Sequence, residues 1–97
     1  MWAFILEVIV GKKIRLYTSG RKADLNAFDK FRKFVHKSYT TPYTFEIIDV
    51  LSNPTVAKQE GIVVTPTIIY RISQRSFKKV IGNISDPENI ALLLGIS

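Results

Sequence analysis

The side chains able to carry chemistry are few in this chain: there is no cysteine, a single histidine (His36), and eight acidic residues. Without cysteine there is no disulfide, no thiolate metal ligand and no sulfur nucleophile. His36 stands without a second histidine or carboxylate at metal-site or acid–base spacing. It closes a basic stretch, where the expectation is a surface position or help in satisfying the last carbonyls of a helix. Asp49 ends an apolar, β-branched run. It is either a perturbed carboxylate or, as Asp commonly is at such junctions, a local hydrogen-bonding cap for the loop that follows, and capping is the expectation. Neither a glycine-rich phosphate loop nor a carboxylate pair occurs. The reading is therefore of a protein that is not an enzyme, with no catalytic, cofactor-binding or metal-ligating residues.

Charge is the remaining feature. The net charge of +6 is unevenly spread: Met1 to Thr41 holds nine Lys/Arg against Glu7, Asp24 and Asp29, whereas Pro42 to Ser97 holds five of each sign. Such an excess solubilises a face or draws an acidic partner or nucleic acid by long-range attraction. Nucleic-acid binding is thus the alternative function, with Lys30, Lys33 and Lys37 meeting phosphates and Tyr17 or Tyr39 stacking on bases. No recognised binding motif accompanies the charge, which weighs against it. The segment Met1 to Val10 is apolar but contains Glu7, lacks preceding basic residues and shows no cleavage site, so a signal peptide is not expected. No run reaches the roughly 18 apolar residues of a membrane span. The expectation is a cytoplasmic protein without membrane contact.

The elements that must position these residues can be read from periodicity. With 46% hydrophobic and 23% charged residues over 97 positions, the chain is one folded globular domain. Lys13 to Ser19 alternates and reads as a strand closed by Gly20. Phe4 to Val10 reads as another, either a hairpin partner or the first part of one long strand interrupted at Gly11. From Lys22 to Lys37 the apolar residues Leu25, Ala27, Phe28, Phe31, Phe34 and Val35 recur at helical steps, and Asp29 and Lys33 are spaced for a helical ion pair. Thr44 to Val50 is nearly continuous in apolar character, as expected of a strand covered on both faces. A short helix follows, with Asn53 placed to cap it, Pro54 in its first turn and Gly61 to end it. Thr67 to Ile72 and Phe77 to Ile81 are two strands joined by a hairpin-length connection. Ser85-Asp86-Pro87-Glu88 is a capping-box pattern opening a last helix that stops at Gly95.

This order, βαβαββα, is that of a thioredoxin-like α/β fold, a mixed four-stranded sheet with helices on both faces. Its first two strands are parallel with a right-handed crossover. Thr65-Pro66 falls just before the hairpin, where that topology places a cis-proline, so Pro66 is the structural cis-proline candidate. The first helix opens with Ser19-Gly20-Arg21-Lys22, which offers no redox nucleophile. Three ordered stretches, Ile48-Asp49-Val50-Leu51-Ser52-Asn53-Pro54, Val63-Val64-Thr65-Pro66-Thr67 and Val80-Ile81-Gly82-Asn83-Ile84-Ser85-Asp86, with Leu16-Tyr17-Thr18-Ser19-Gly20 before them, resemble the KaiB family of circadian-clock proteins. The similarity runs from about Lys13 to Leu94. Residues 13–97 are then a KaiB-like domain, and residues 1–12 an extension or extra strand that could cover a sheet edge or mediate self-association.

That resemblance implies a non-enzymatic adaptor in circadian, timing or stress regulation, docking on a KaiC-like ATPase or a sensor-kinase system. Some family members interconvert between this fold and a tetrameric resting fold with a rearranged C-terminal half, which is the alternative architecture. The family's proline-rich connection between the last two strands is absent from Ile72 to Ser76, which permits a more regular hairpin. The thioredoxin-like form is accordingly expected as the resting state, a monomer first and a dimer or tetramer as alternatives. Gly95 to Ser97, after the last helix, carry no acidic residue, so the family's acidic tail is not expected. Candidate partner-binding residues are Arg21, Lys22, Asn53, Pro54, Lys58 and Gln59.

Overall fold

A computed structural model of the chain describes residues 12–73 and 75–96. Its elements are β1 (Lys12–Thr18), α1 (Lys22–Ser38), β2 (Tyr43–Asp49), α2 (Pro54–Gln59), β3 (Thr67–Arg71), β4 (Phe77–Ile81) and α3 (Pro87–Leu94). The strand expected over Phe4 to Val10, and the role given to the N-terminal extension up to Gly11, lie outside the described residues. The sheet order is β2-β1-β3-β4. β1 pairs in parallel with β2 and antiparallel with β3, and β4 pairs antiparallel with β3. This is the thioredoxin-like βαβαββα arrangement.

Alternation along the strands divides the sheet into two unlike faces. Ile14 and Leu16 of β1, Ile68 and Tyr70 of β3 and Val80 of β4 form one core with Phe28, Phe31 and Val35 of α1 and with Ile90, Ala91 and Leu94 of α3. Phe45 of β2 meets the rings of Phe28 and Phe31 edge-on, at 6.0 and 6.2 Å between centroids, a geometry favoured by the ring quadrupoles. At the margin of this core Tyr70 lies 5.7 Å from Tyr43. Burial, then the hydrogen bond with Tyr43, raises the Tyr70 pKa well above the usual tyrosine value, so the phenol stays neutral.

On the opposite face lie Tyr17 and Ile69, both buried, with Ala57 as the buried residue of α2. The ion pair between Arg71 Nη2 and Glu60, at 2.8 Å, ties the C-terminal end of α2 to β3. A six-residue helix spans only about 9 Å. It leaves Phe77 and Ile81 of β4 exposed.

Two sequence expectations are corrected here. Among the described residues β2 is an edge strand, and it is not covered on both faces: only Tyr43 is buried and Ile47 is exposed. Its apolar run reflects packing against α1 on one side, while β1 and β3 take the interior positions. Helix α3 is capped by Asp86, whose Oδ1 accepts the backbone N–H of Asn89 at 3.3 Å, and not by Ser85. Ser85 instead donates from its Oγ (2.6 Å) and its N–H (2.9 Å) to Asn83 Oδ1. Pro87 occupies the first turn as expected, and Gly95 stops the helix at φ 70°, a left-handed conformation that is costly for residues with a Cβ.

Candidate functional site

The register places the C-terminal ends of β1, β2 and β4 and the start of β3 at one end of the sheet. Thr18 pairs with Asp49, Tyr17 with Thr67, and Thr67 with Ile81. The loops after β1 and β2, the segment leading into β3 and the loop after β4 therefore converge there. In open sheets with parallel strands, this is the end at which ligands and partners are most often met.

The turn after β1 is held by a buried polar knot. Thr18 Oγ1 donates to Asp24 Oδ2 at 3.2 Å and accepts the N–H of Gly20 at 3.1 Å. Asp24 is 6% exposed and lies in the first turn of α1, where the helix dipole favours a negative charge. Gly20 has φ 89° with open space where a Cβ would sit, so glycine is required there by backbone conformation alone. Arg21 caps α1 without a side-chain hydrogen bond. Arg21 and Lys22 are both exposed at the positive end of the helix dipole, a placement that electrostatics within the chain does not favour.

The loop after β2 is organised by Asp49, as a capping residue. Its Oδ1 accepts the N–H of Leu51 at 2.9 Å and its Oδ2 the hydroxyl of Ser52 at 3.2 Å. Asn53 departs from its expected role. Its side chain does not cap α2; Nδ2 donates back to the carbonyl of Asp49 at 3.0 Å, fixing the loop and not the helix. Pro54 stands in the first turn of α2, and Lys58 and Gln59 project from its far end, all three exposed.

Thus Arg21, Lys22, Asn53 and Pro54 share one end of the molecule, while Lys58 and Gln59 extend it along α2. Apolar side chains that sequence reasoning did not select flank this helix: Leu51 is 74% and Val63 is 91% exposed, with Val64 also exposed. The signal available in the sequence was the pair Val63-Val64 placed between Gly61 and Pro66, outside any strand. Beside them the Thr65–Pro66 peptide is cis and Pro66 is buried. An open cleft of about 380 Å³, lined by Arg21, Asp24, Pro66, Gly82, Asn83 and Ser85, separates the start of α1 from the loop after β4. Nothing in the sequence announced it, because its walls come from three segments distant in the chain.

His36 is exposed, the surface position being one of the two expected for it, with its ring 5.4 Å from that of Phe45. Tyr17 is completely buried and accepts a hydrogen bond from Arg15 Nη1 at 3.1 Å. Tyr39 packs edge-on to Phe34 at 6.2 Å. Tyr17 is thereby removed as a platform for stacked bases. Among the described residues no group of three or more His, Asp or Glu side chains is arranged to hold a metal ion, and no helix is long and apolar enough to cross a membrane.

A mixed sheet in this order, with a cis-proline ahead of the hairpin, an α1 that opens on Arg21-Lys22 and no cysteine anywhere, defines a thioredoxin-like domain that lacks the thiol pair. The N-terminal domain of SasA from Synechococcus elongatus superposes with a TM-score of 0.68 at 18% identity, covering 84% of this chain and 77% of that one. Mitochondrial thioredoxin 3 from Saccharomyces cerevisiae superposes at 0.67 and 15% identity, covering 97% and 88%. The KaiB domain model matches residues 15–96, and the chain belongs to the KaiB family. It is 29% identical over 84 residues to the circadian clock oscillator protein KaiB of Trichodesmium erythraeum, covering 86% of this chain and 80% of the relative. It is equally similar to KaiB1 of a Synechocystis species, with 86% and 79% coverage.

Proposed function

We propose that this protein is a non-enzymatic, cytoplasmic adaptor of KaiB type that docks as a monomer on a KaiC-type ATPase or a related regulator. Contact is made through α2 and the loops at the adjoining end of the sheet. The observation that carries the reading is the exposure of branched apolar side chains around α2, with Val63 at 91%. They lie in a region whose polar groups are otherwise locally satisfied by Asp49 and Thr18. Exposed apolar side chains accompanied by exposed cations are the composition of a docking patch. Arg21 and Lys22, set against the helix dipole, add attraction for an acidic partner surface.

Pull-down with a KaiC homologue, followed by titration of Lys58→Glu, tests this reading. A side chain at the rim of such a patch acts mainly through charge, and reversal is expected to weaken binding about tenfold. Unchanged affinity would remove α2 from the interface.

A further inference from the structure

β4 offers a second surface, independent of docking through α2. Among the described residues no strand lies outside it, since it is last in the order β2-β1-β3-β4. Residues opposed across a ladder share a face. The pairs Arg71 with Phe77, Ile69 with Lys79 and Thr67 with Ile81 therefore put Phe77, Lys79 and Ile81 on the α2 side, beyond the reach of that short helix. Phe77 is 49% exposed and Ile81 similarly so. The ammonium of Lys79 lies 5.8 Å from the Phe77 ring centroid, and among the described residues neither Lys78 nor Lys79 is in an ion pair. From Ile72 to Asn83 the chain has three cations and no acid.

We infer that the free edge of β4 accepts an extended acidic segment of a partner protein as an added antiparallel strand. The recognised pattern is apolar, any, acidic, any, apolar, with the carboxylate opposite Lys79 and the apolar residues against Phe77 and Ile81. Backbone hydrogen bonds along the edge give affinity, and alternate side chains give selection. Lysines on an edge strand ordinarily guard it against like chains. Here they also choose the occupant. A second copy paired two-fold about Lys79 would set that lysine against itself, which is destabilising. Ile5-Leu6-Glu7-Val8-Ile9 carries the same pattern. Deleting residues 1–11 separates this segment from a partner's.

The test titrates the full chain with a fluorescent peptide whose core is Ile-Thr-Glu-Thr-Ile, read by anisotropy and by amide NMR. Binding is expected, with shifts centred on residues 77–81. Lys79→Glu, a change at an exposed position, should weaken binding about tenfold, and a peptide with lysine in place of its glutamate should recover it on that variant. Absence of binding, shifts centred elsewhere, or no charge-swap recovery overturns the proposal. So does protection of the β4 amides in the free chain that rises with protein concentration, which would mean a second copy. Protection lost on deleting residues 1–11 would mean the chain's own N-terminal segment and overturn it equally.

Discussion

The two faces of the sheet are built from the same five-to-seven-residue strands yet obey different physics. The face under α1 and α3 is apolar, and its aromatic rings are locked edge to face. The face under α2 carries Lys13, Arg15, Glu46 and Arg71, linked by ion pairs to one another or to Glu60. Arg15 Nε on that face is buried and finds no acceptor among the described residues. One face holds the fold together by excluding water; the other keeps polar surface that a short helix cannot cover. The lesson is that stability and availability for a partner are separated by the pleat of the strands, so a substitution's effect depends on which way its side chain points.

The sharpest test of that separation uses one residue type on both faces. Phe31 is fully buried between α1 and the sheet, and Phe31→Ala should cost about 3–5 kcal/mol through lost burial and the cavity left behind. Phe77→Ala, on the half-exposed outer strand, should cost under about 1 kcal/mol. Urea denaturation of both variants measures this. Similar losses would mean that the α2 face is as much a core as the other, and the comparison would fail.

The sequence was most legible where a single face decides the outcome. The helical stripe Leu25 to Val35 forecast α1 and the burial of Phe28, Phe31 and Val35 because three- and four-residue steps leave one apolar side; the buried Asp24 lay outside it. The pairing of Asp29 with Lys33 at 3.0 Å followed from spacing alone. Legibility fell where the deciding partner is remote. Asn53 looked like a cap because its type and position suited one; the carbonyl of Asp49, four residues back, claimed its amide instead. Tyr17 looked available for stacking because alternation gives a side and not its burial, and in the fold that side chain is fully buried. The edge position of β2 depends on the order in which four strands assemble, which local pattern does not contain. The exposed patch around α2 was missed because valine in a loop carries no periodicity.

The next effect concerns the polar knot that shapes the proposed docking end. Thr18→Val keeps the volume but removes both the donor to Asp24 and the acceptor for Gly20 N–H. A carboxylate that is almost wholly buried then loses a partner, and about 1–3 kcal/mol of stability should go with it. A Thr18→Ser variant retains the hydroxyl and should recover the hydrogen-bond part of the loss. Equal destabilisation by valine and serine would show that the methyl group, and not the knot, matters.

The smallest effect lies on the ionic face and is identified by its pH dependence. Glu46 is within 3.0 Å of Lys13 Nζ and 3.5 Å of Arg15 Nη2, with 34% of its side chain exposed. Burial alone would raise its pKa, but the hydrogen bond from Lys13 and the charges of Arg15 and Lys13 outweigh burial and hold it below the ordinary glutamate value. A folded-state pKa below the unfolded one stabilises the protein above the unfolded value and ceases to do so as pH falls through the folded one. Glu46→Gln should therefore cost under about 1 kcal/mol near neutral pH, as for other partly exposed pairs. In acid below the glutamate range, the variant and the original should have matching urea midpoints. Added salt should narrow the neutral-pH gap as well, because the pair is open to screening. A gap that persisted unchanged into acid would show that Glu46 acts through packing, and the α2 face would then resemble its opposite more closely than its charges suggest.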